Sequence, residues 1–205
     1  MHVPNLTLDK PIYAGFCILE LSNLKMCNLH YSHFKKHYPE NCQLLYTDTD
    51  SLYLNIYTQE NVYSKLKEKF EETLDLSNFD SHHEAYSEVN KNKLGVLKFE
   101  ITENIDQFVG LKAKQYAFSF GGHCKKTSKG ISKNIVKRYN FDTYKETLES
   151  GKSLKETQVN IRSKNHVLFT IEEKRRGLCA YYDKAYVLPN GIDCLSFGHY
   201  KIIKE

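Results

Sequence analysis

Residues 43–57 read QLLYTDTDSLYLNIY, and this run constrains the fold more than any other stretch of the chain. β-Branched, aromatic and leucine side chains lie on both sides of a small polar centre, a pattern that predicts strand, tight turn, strand. The turn carries two carboxylates, Asp48 and Asp50, two residues apart. In a continuing strand they would project on one side a few ångströms apart and repel each other. Solvent around a turn relieves that repulsion, and so does a bound cation. Asp and Thr are ordinary turn residues, so a plain polar turn accounts for the pattern too. Hard carboxylate oxygens at this spacing suit Mg²⁺, which takes one or two carboxylates together with waters and phosphates. Leu44, Tyr46, Leu52, Leu54 and Ile56 are expected to anchor the turn on buried strands.

The rest of the chain predicts a mixed α+β protein. Asp9 and Pro11 mark a helix start, with Asp9 as the cap. Apolar residues at Ile12, Phe16, Leu19, Met26 and Leu29 carry that helix to about His37, where Tyr38-Pro39-Glu40-Asn41 ends it. Val62, Leu66, Phe70 and Leu74 predict an amphipathic helix closed by a turn at 75–80. The polar stretch 81–93 reads as a surface loop. Strands are expected at 95–102, 115–120 and 129–136, with a turn at Gly121-Gly122. A helix fits 141–149, stopped by Gly151. Further strands are expected at 167–171, 180–188 and 192–197, the last two joined by Pro189-Asn190-Gly191. A boundary is expected near 137–141, between a mixed first part, 1–138, and a smaller C-terminal part, 139–205.

The 205 residues carry a net charge of +4, unevenly distributed. Lys112, Lys114, Lys125, Lys126, Lys129, Lys133, Lys137 and Arg138 lie in a segment, 107–138, without one Asp or Glu. That segment holds +8, the remainder sums to −4, and a block of this kind favours a polyanionic partner. The 40% hydrophobic content excludes general disorder, and no apolar run approaches the ~20 residues of a membrane-spanning helix. No secretory signal is visible, so an intracellular protein is expected, with nothing to choose nucleus over cytoplasm. The six cysteines form no C-x-x-C pair and read as reduced, mostly buried thiols. His30, His33 and His37 share one helix face, read as an exposed basic helix end rather than a metal site. His82, His83 and His123 carry no pattern. Gly121-Gly122 lacks the surroundings of a phosphate loop.

Tyr46-Thr47-Asp48-Thr49-Asp50-Ser51 resembles the Y-x-D-T-D-S motif C of family B DNA polymerases. Residues 10–22 resemble the helix before motif C in the protein-primed branch, especially polymerases of Polinton/Maverick-type transposons and related viruses. Phe108–Tyr116 is similar to that branch's K-x-Y region through Lys114 and Tyr116, and Gly198-His199-Tyr200 is similar to its closing residues. The resemblance is strongest in 9–57 and 95–140. It implies a partial polymerase palm, an antiparallel sheet with packed helices, over 1–138, followed by a small thumb over 139–205. Asp50 would be the direct metal and catalytic ligand and Asp48 its support, with Tyr46, Thr47, Thr49 and Ser51 shaping the motif. Lys114 and Tyr116 would touch the primer strand, and Lys112, Lys129 and Lys133 would hold phosphates.

The implied cofactor is Mg²⁺, two ions in the complete enzyme, and the implied partners are primer–template DNA and dNTP. A terminal protein primer is a further partner that the branch implies. The motif A aspartate and the motif B nucleotide helix have no counterpart in the chain, so a missing N-terminal polymerase half is also expected. At Leu97-Lys98-Phe99-Glu100 an apolar Phe99 stands where related chains tend to carry an acid. The sequence thus reads as a DNA-directed DNA polymerase fragment, inactive alone because pre-organised charge is incomplete. Two alternatives remain. One is a non-catalytic DNA-binding remnant of a mobile-element polymerase. The other is a Mg²⁺-dependent nuclease or phosphotransferase drawing on Glu100 and Glu103.

Overall fold

A computed structural model describes residues 9–181, 185–190, 193–196 and 198–202. The chain is α+β, with small sheets and a few helices, and divides into two compact units, Met1–Thr102 and Glu103–Glu205.

The first unit opens with α1 (Ile12–Asn28), which runs on through a π-helical stretch, Leu29–Phe34, into α2 (Lys35–His37). Asp9 is not the cap. Pro11 is the residue before the first helical turn, and no side chain caps it, because proline's missing donor leaves one fewer orphan to satisfy. None of α1 is buried, whereas the wider π turn brings Leu29, His30 and Phe34 into the core. Phe34 stacks on Phe70 at 4.7 Å, and His37 meets the same ring edge-on.

The hairpin follows as β1 (Cys42–Asp48) and β2 (Ser51–Ile56), paired antiparallel as a two-stranded sheet. The register skips at Leu45, a bulge that reverses the alternation of β1. Thr47, Leu44 and Cys42 therefore share a face with Leu52, Leu54 and Ile56, while Tyr46 and Asp48 share the opposite face with Tyr53 and Ser51. This corrects the expectation of buried flanks. Leu44 remains 39% exposed, and only Leu52, Leu54 and Ile56 pack partly on the core.

Helix α3 (Val62–Phe70) is capped by Asn61, whose side chain accepts from the Tyr63 N–H. It stops at Phe70, short of Leu74, which instead enters β3 (Leu74–Asp75), parallel to β4 (Leu97–Lys98). Most of the strand expected at 95–102 is irregular chain. The polar stretch 81–93 is not merely surface: Ala85 and Asn90 are buried. Asn90 donates to the carbonyls of Glu71 and Leu74 at 2.8 and 3.3 Å. Asp75 accepts from the Ser77 and Asn92 N–H groups at 2.9 and 3.1 Å, so polar side chains fold this loop from inside.

The second unit is built on an antiparallel sheet of β5 (Ile105–Lys112), β6 (Gln115–Phe120) and β7 (His123–Ser128). Strand β5 goes beyond the expected elements. The strand returning after Gly121-Gly122 is β7, not 129–136, where the chain forms α4 (Lys133–Arg138). Helix α5 (Phe141–Ser150) has a reciprocal capping box between Asn140 and Thr143 and ends at Gly151, whose φ of 64° is the left-handed conformation glycine adopts freely. One face of the sheet, with Val109, Leu111 and Ala117, packs with Ile135, Tyr139, Tyr144 and Leu178 in a single core.

β8 (Lys155–Lys164) and β9 (Val167–Arg176) form a ribbon of ten pairs; β8 was not foreseen, and β9 extends past the expected 171. β10 (Ala185–Val187) and β11 (Cys194–Ser196) pair antiparallel, shorter than the strands expected there. Residues 182–184, 192 and 197 of those two expected strands, and Gly191 of the expected turn between them, lie outside the described residues. Only Cys42 and Cys179 of the six free thiols are buried, because the others fall on exposed faces. No described helix is long and apolar enough to cross a membrane.

Candidate functional site

Asp48 is the last residue of β1 and pairs with Ser51, the first of β2, leaving Thr49 and Asp50 as a two-residue turn. Thr49 sits at φ 60°, a left-handed conformation that a β-branched residue rarely adopts. The Asp50 N–H donates to the Asp48 carbonyl at 2.7 Å, and the Ser51 hydroxyl donates to the same carbonyl at 3.1 Å. The Thr49 hydroxyl reaches an Asp48 carboxylate oxygen at 3.4 Å. Asp48 is half-buried and Asp50 exposed. The two carboxylates thus leave from a turn rather than one strand face, where water screens their repulsion. Behind them Tyr46 meets Tyr53 edge-on at 6.0 Å, and Thr47 is exposed.

Two accessible hard-oxygen donors fit the protein's share of one Mg²⁺, which retains waters and takes substrate oxygens. Among the described residues no group of three or more His, Cys, Asp or Glu side chains is placed to hold a metal. His30, expected to be exposed, is 5% exposed, and its Nδ1 has no hydrogen-bond partner. Burial, reinforced by Lys35, holds its pKa below the ordinary value and favours the neutral ring.

The second candidate region lies in the other unit. Lys112 and Gln115 close the β5–β6 hairpin around Ala113 and Lys114, and Lys114 sits at φ 61°. Its carbonyl accepts from the Lys129 N–H at 3.1 Å. Lys112 and Lys114 are half-buried, and Lys125, Lys129, Lys133 and Lys137 are exposed. Lys126 and Arg138 have structural duties. The Lys126 ammonium donates to the carbonyls of Tyr139 and Lys137 at the end of α4, where a cation suits the helix dipole. Arg138 pairs with Glu156 at 2.9 Å.

Tyr116 is only 5% exposed. It lies in an aromatic row, 6.2 Å from Phe108 and 6.3 Å from Phe118, on the sheet face opposite the core. Gln115, between Lys114 and Tyr116, proves the structural residue of the three. Its amide donates to Ser128 Oγ at 3.1 Å and to the Gly177 carbonyl at 2.9 Å, and its carbonyl accepts from the Cys179 N–H at 3.2 Å. A side chain at Gly177 would collide with the Tyr139 hydroxyl. The signal for Gln115 was its place in the alternation of β6, on the inward side with Ala117.

No protein-family model, curated protein or solved structure matches the chain.

Proposed function

We propose that this chain is the rear palm and thumb portion of a DNA-directed DNA polymerase of family B. It would supply the Asp48–Asp50 turn and a basic DNA-binding surface to an enzyme completed by a second polypeptide segment. The observation that carries the reading is the YTDTDS run at the tip of a two-residue hairpin, which leaves Asp50 exposed with a half-buried Asp48 beside it. Asp50, with Asp48 beside it, would hold Mg²⁺. When bound, that ion supplies charge stabilisation to the phosphates in nucleotidyl transfer. Lys112, Lys114, Lys129 and Lys133 would contact the backbone phosphates of the primer–template, which gives affinity without sequence preference. Tyr116 would position Lys114 from within the sheet.

Helix α1 supports the need for a second segment. Tyr13, Phe16, Ile18 and Leu21 are 64–77% exposed and point around the helix rather than to one side. A helix that is apolar all round is normally surrounded by polypeptide. The missing acid and the nucleotide-binding helix would arrive with that cover.

Primer–template binding followed by fluorescence anisotropy, with Mg²⁺ and dNTP added stepwise, tests the reading. Binding should weaken steeply with salt, and at fixed ionic strength Mg²⁺ should strengthen it, an effect that Asp50→Asn removes, while dNTP adds nothing without the missing nucleotide helix. Incorporation should be absent from the chain alone. Salt-dependent binding indifferent to Asp50→Asn would favour the non-catalytic remnant, and loss of all DNA affinity would defeat both readings.

A further inference from the structure

The β8–β9 ribbon has a role that neither the hairpin turn nor the basic block covers. Its ten pairs run without a bulge, and its tip, Asn165-His166, has both residues at positive φ, 50° and 62°. Such a two-residue turn matches the natural twist of a ribbon, so the arm is stiff to its end. Its root is fixed to the core of the unit. Gln158 accepts from the Ser132 N–H at 2.9 Å, Glu156 accepts from the Tyr139 hydroxyl at 3.0 Å, and the Leu154 N–H donates to the Leu178 carbonyl at 2.9 Å. From Ile161 to Thr170 every residue is exposed, which is four strand pairs, or roughly 13 Å of arm at about 3.3 Å per residue.

Each face of that outer arm carries two exposed apolar side chains among polar ones. Ile161 and Leu168, 74% and 73% exposed, lie on one face, and Val167 and Phe169 lie on the other. No acid occurs from Thr157 to Ile171, while Arg162, Lys164 and His166 do. Phe169 stands opposite Arg162 and Val167 opposite Lys164, so each cation rides beside an apolar partner. Arg162 also leans toward Glu173, 3.6 Å away near the root, which leaves Lys164 as the cation nearest the tip. Edge pairing with a second copy would bring these like charges together. A narrow arm with Ile161 and Leu168 on one face and Arg162 and Lys164 on the other suits a slot between two walls of phosphate.

Resting on the DNA-binding reading above, we infer that the ribbon tip is a wedge. It enters the minor groove of duplex DNA, and Ile161 and Leu168 part a base step while Lys164 neutralises an adjacent phosphate. Apolar side chains at the end of a ribbon or helix are a known physical means of unstacking and kinking a duplex, whereas reading base edges in the major groove needs hydrogen-bonding groups.

The test uses the full chain and a short duplex with 2-aminopurine at a TA step, the step most easily unstacked. Binding should raise 2-aminopurine fluorescence. The exposed-site variant I161S/L168S should abolish the rise and lower affinity about tenfold, the scale of removing buried apolar side chains, without changing the salt slope. Lys164→Ala should reduce that slope by about one and keep the rise at saturation. Salt-dependent binding with no fluorescence rise, or a rise untouched by I161S/L168S, overturns the wedge and leaves the polymerase reading standing. No binding to any duplex overturns both. Binding to phosphatidylserine vesicles that depends on Ile161 and Leu168, with duplex binding indifferent to them, assigns the tip to a membrane surface and overturns the wedge.

Discussion

The acidic turn at Asp48–Ser51 and the basic turn at Lys112–Gln115 have similar tips and different supports. Each reverses the chain in two residues around a non-glycine residue held left-handed, Thr49 at φ 60° and Lys114 at φ 61°. Behind Thr49 stands a two-stranded sheet with a bulge at Leu45, half-exposed along most of its length. Behind Lys114, β6 is the central strand of a sheet and is buried from Gln115 to Phe118. The basic tip is rooted in its own unit by Gln115, while the acidic tip belongs to a unit whose longest helix has no cover. The difference teaches that the same left-handed turn geometry can stand on unlike supports, a half-exposed hairpin in one unit and a buried central strand in the other. Backbone strain of this kind persists where the surrounding structure enforces it.

The largest effect should come from the root of the basic tip. Gln115→Ala strands the buried Cys179 N–H, whereas Ser128 Oγ keeps its own 2.9 Å bond to the Gly177 carbonyl, and the loss should cost about 2 kcal/mol. Urea unfolding of the variant would measure it, and a change below about 1 kcal/mol would dissolve the contrast between the two supports.

Next comes the polar anchor of the first unit. Burial opposes the charge of Asp75, yet bonds from Ser77 and Asn92 and the nearby Lys98 hold its pKa below the ordinary value. A carboxylate depressed in the folded state adds stability that is complete above its unfolded value of about 4 and fades as pH falls through the folded value. Acid should therefore weaken the first unit before the Gln115 network, which carries no ionisable group. Asp75→Asn should cost about 2 kcal/mol at neutral pH and flatten the acid limb, as read by hydrogen exchange in each unit.

Smaller effects address the tips. Thr49→Gly should stabilise by about 1 kcal/mol, because glycine removes the left-handed penalty of a β-branched residue and returns part of the gain as chain entropy. Lys114→Gly should stabilise by about 0.5 kcal/mol and weaken primer–template binding a few-fold, with the salt slope reduced by about one. Stability and binding moving in the same direction at Lys114 would show that its backbone conformation serves the fold alone. Melting curves alongside anisotropy titrations read both quantities.

Much of the first unit was legible because its signals are local. The hairpin over 42–56 and the long helix to His37, and in the second unit the glycine stop of α5, follow from turn residues, apolar spacing and glycine, which act within a few positions of themselves. The bulge at Leu45 escaped because nothing in a run of β-formers says which residue will be skipped. Residues 129–136 suit a strand locally through Ile131, Ile135 and Val136, yet Ile135 belongs to α4 and packs with the Tyr139–Tyr144 core.

The sequence by itself determined the acidic turn, the acid-free basic block and the α+β alternation, all properties of neighbours in the chain. The tertiary structure alone decided that Gln115, Asn90 and His30 are buried and that Lys126 and Arg138 are already engaged. It also set an unsignalled β8 beside β9 as a projecting arm. Burial and pairing depend on partners far along the chain, such as Gly177 for Gln115, and no local pattern carries their identity.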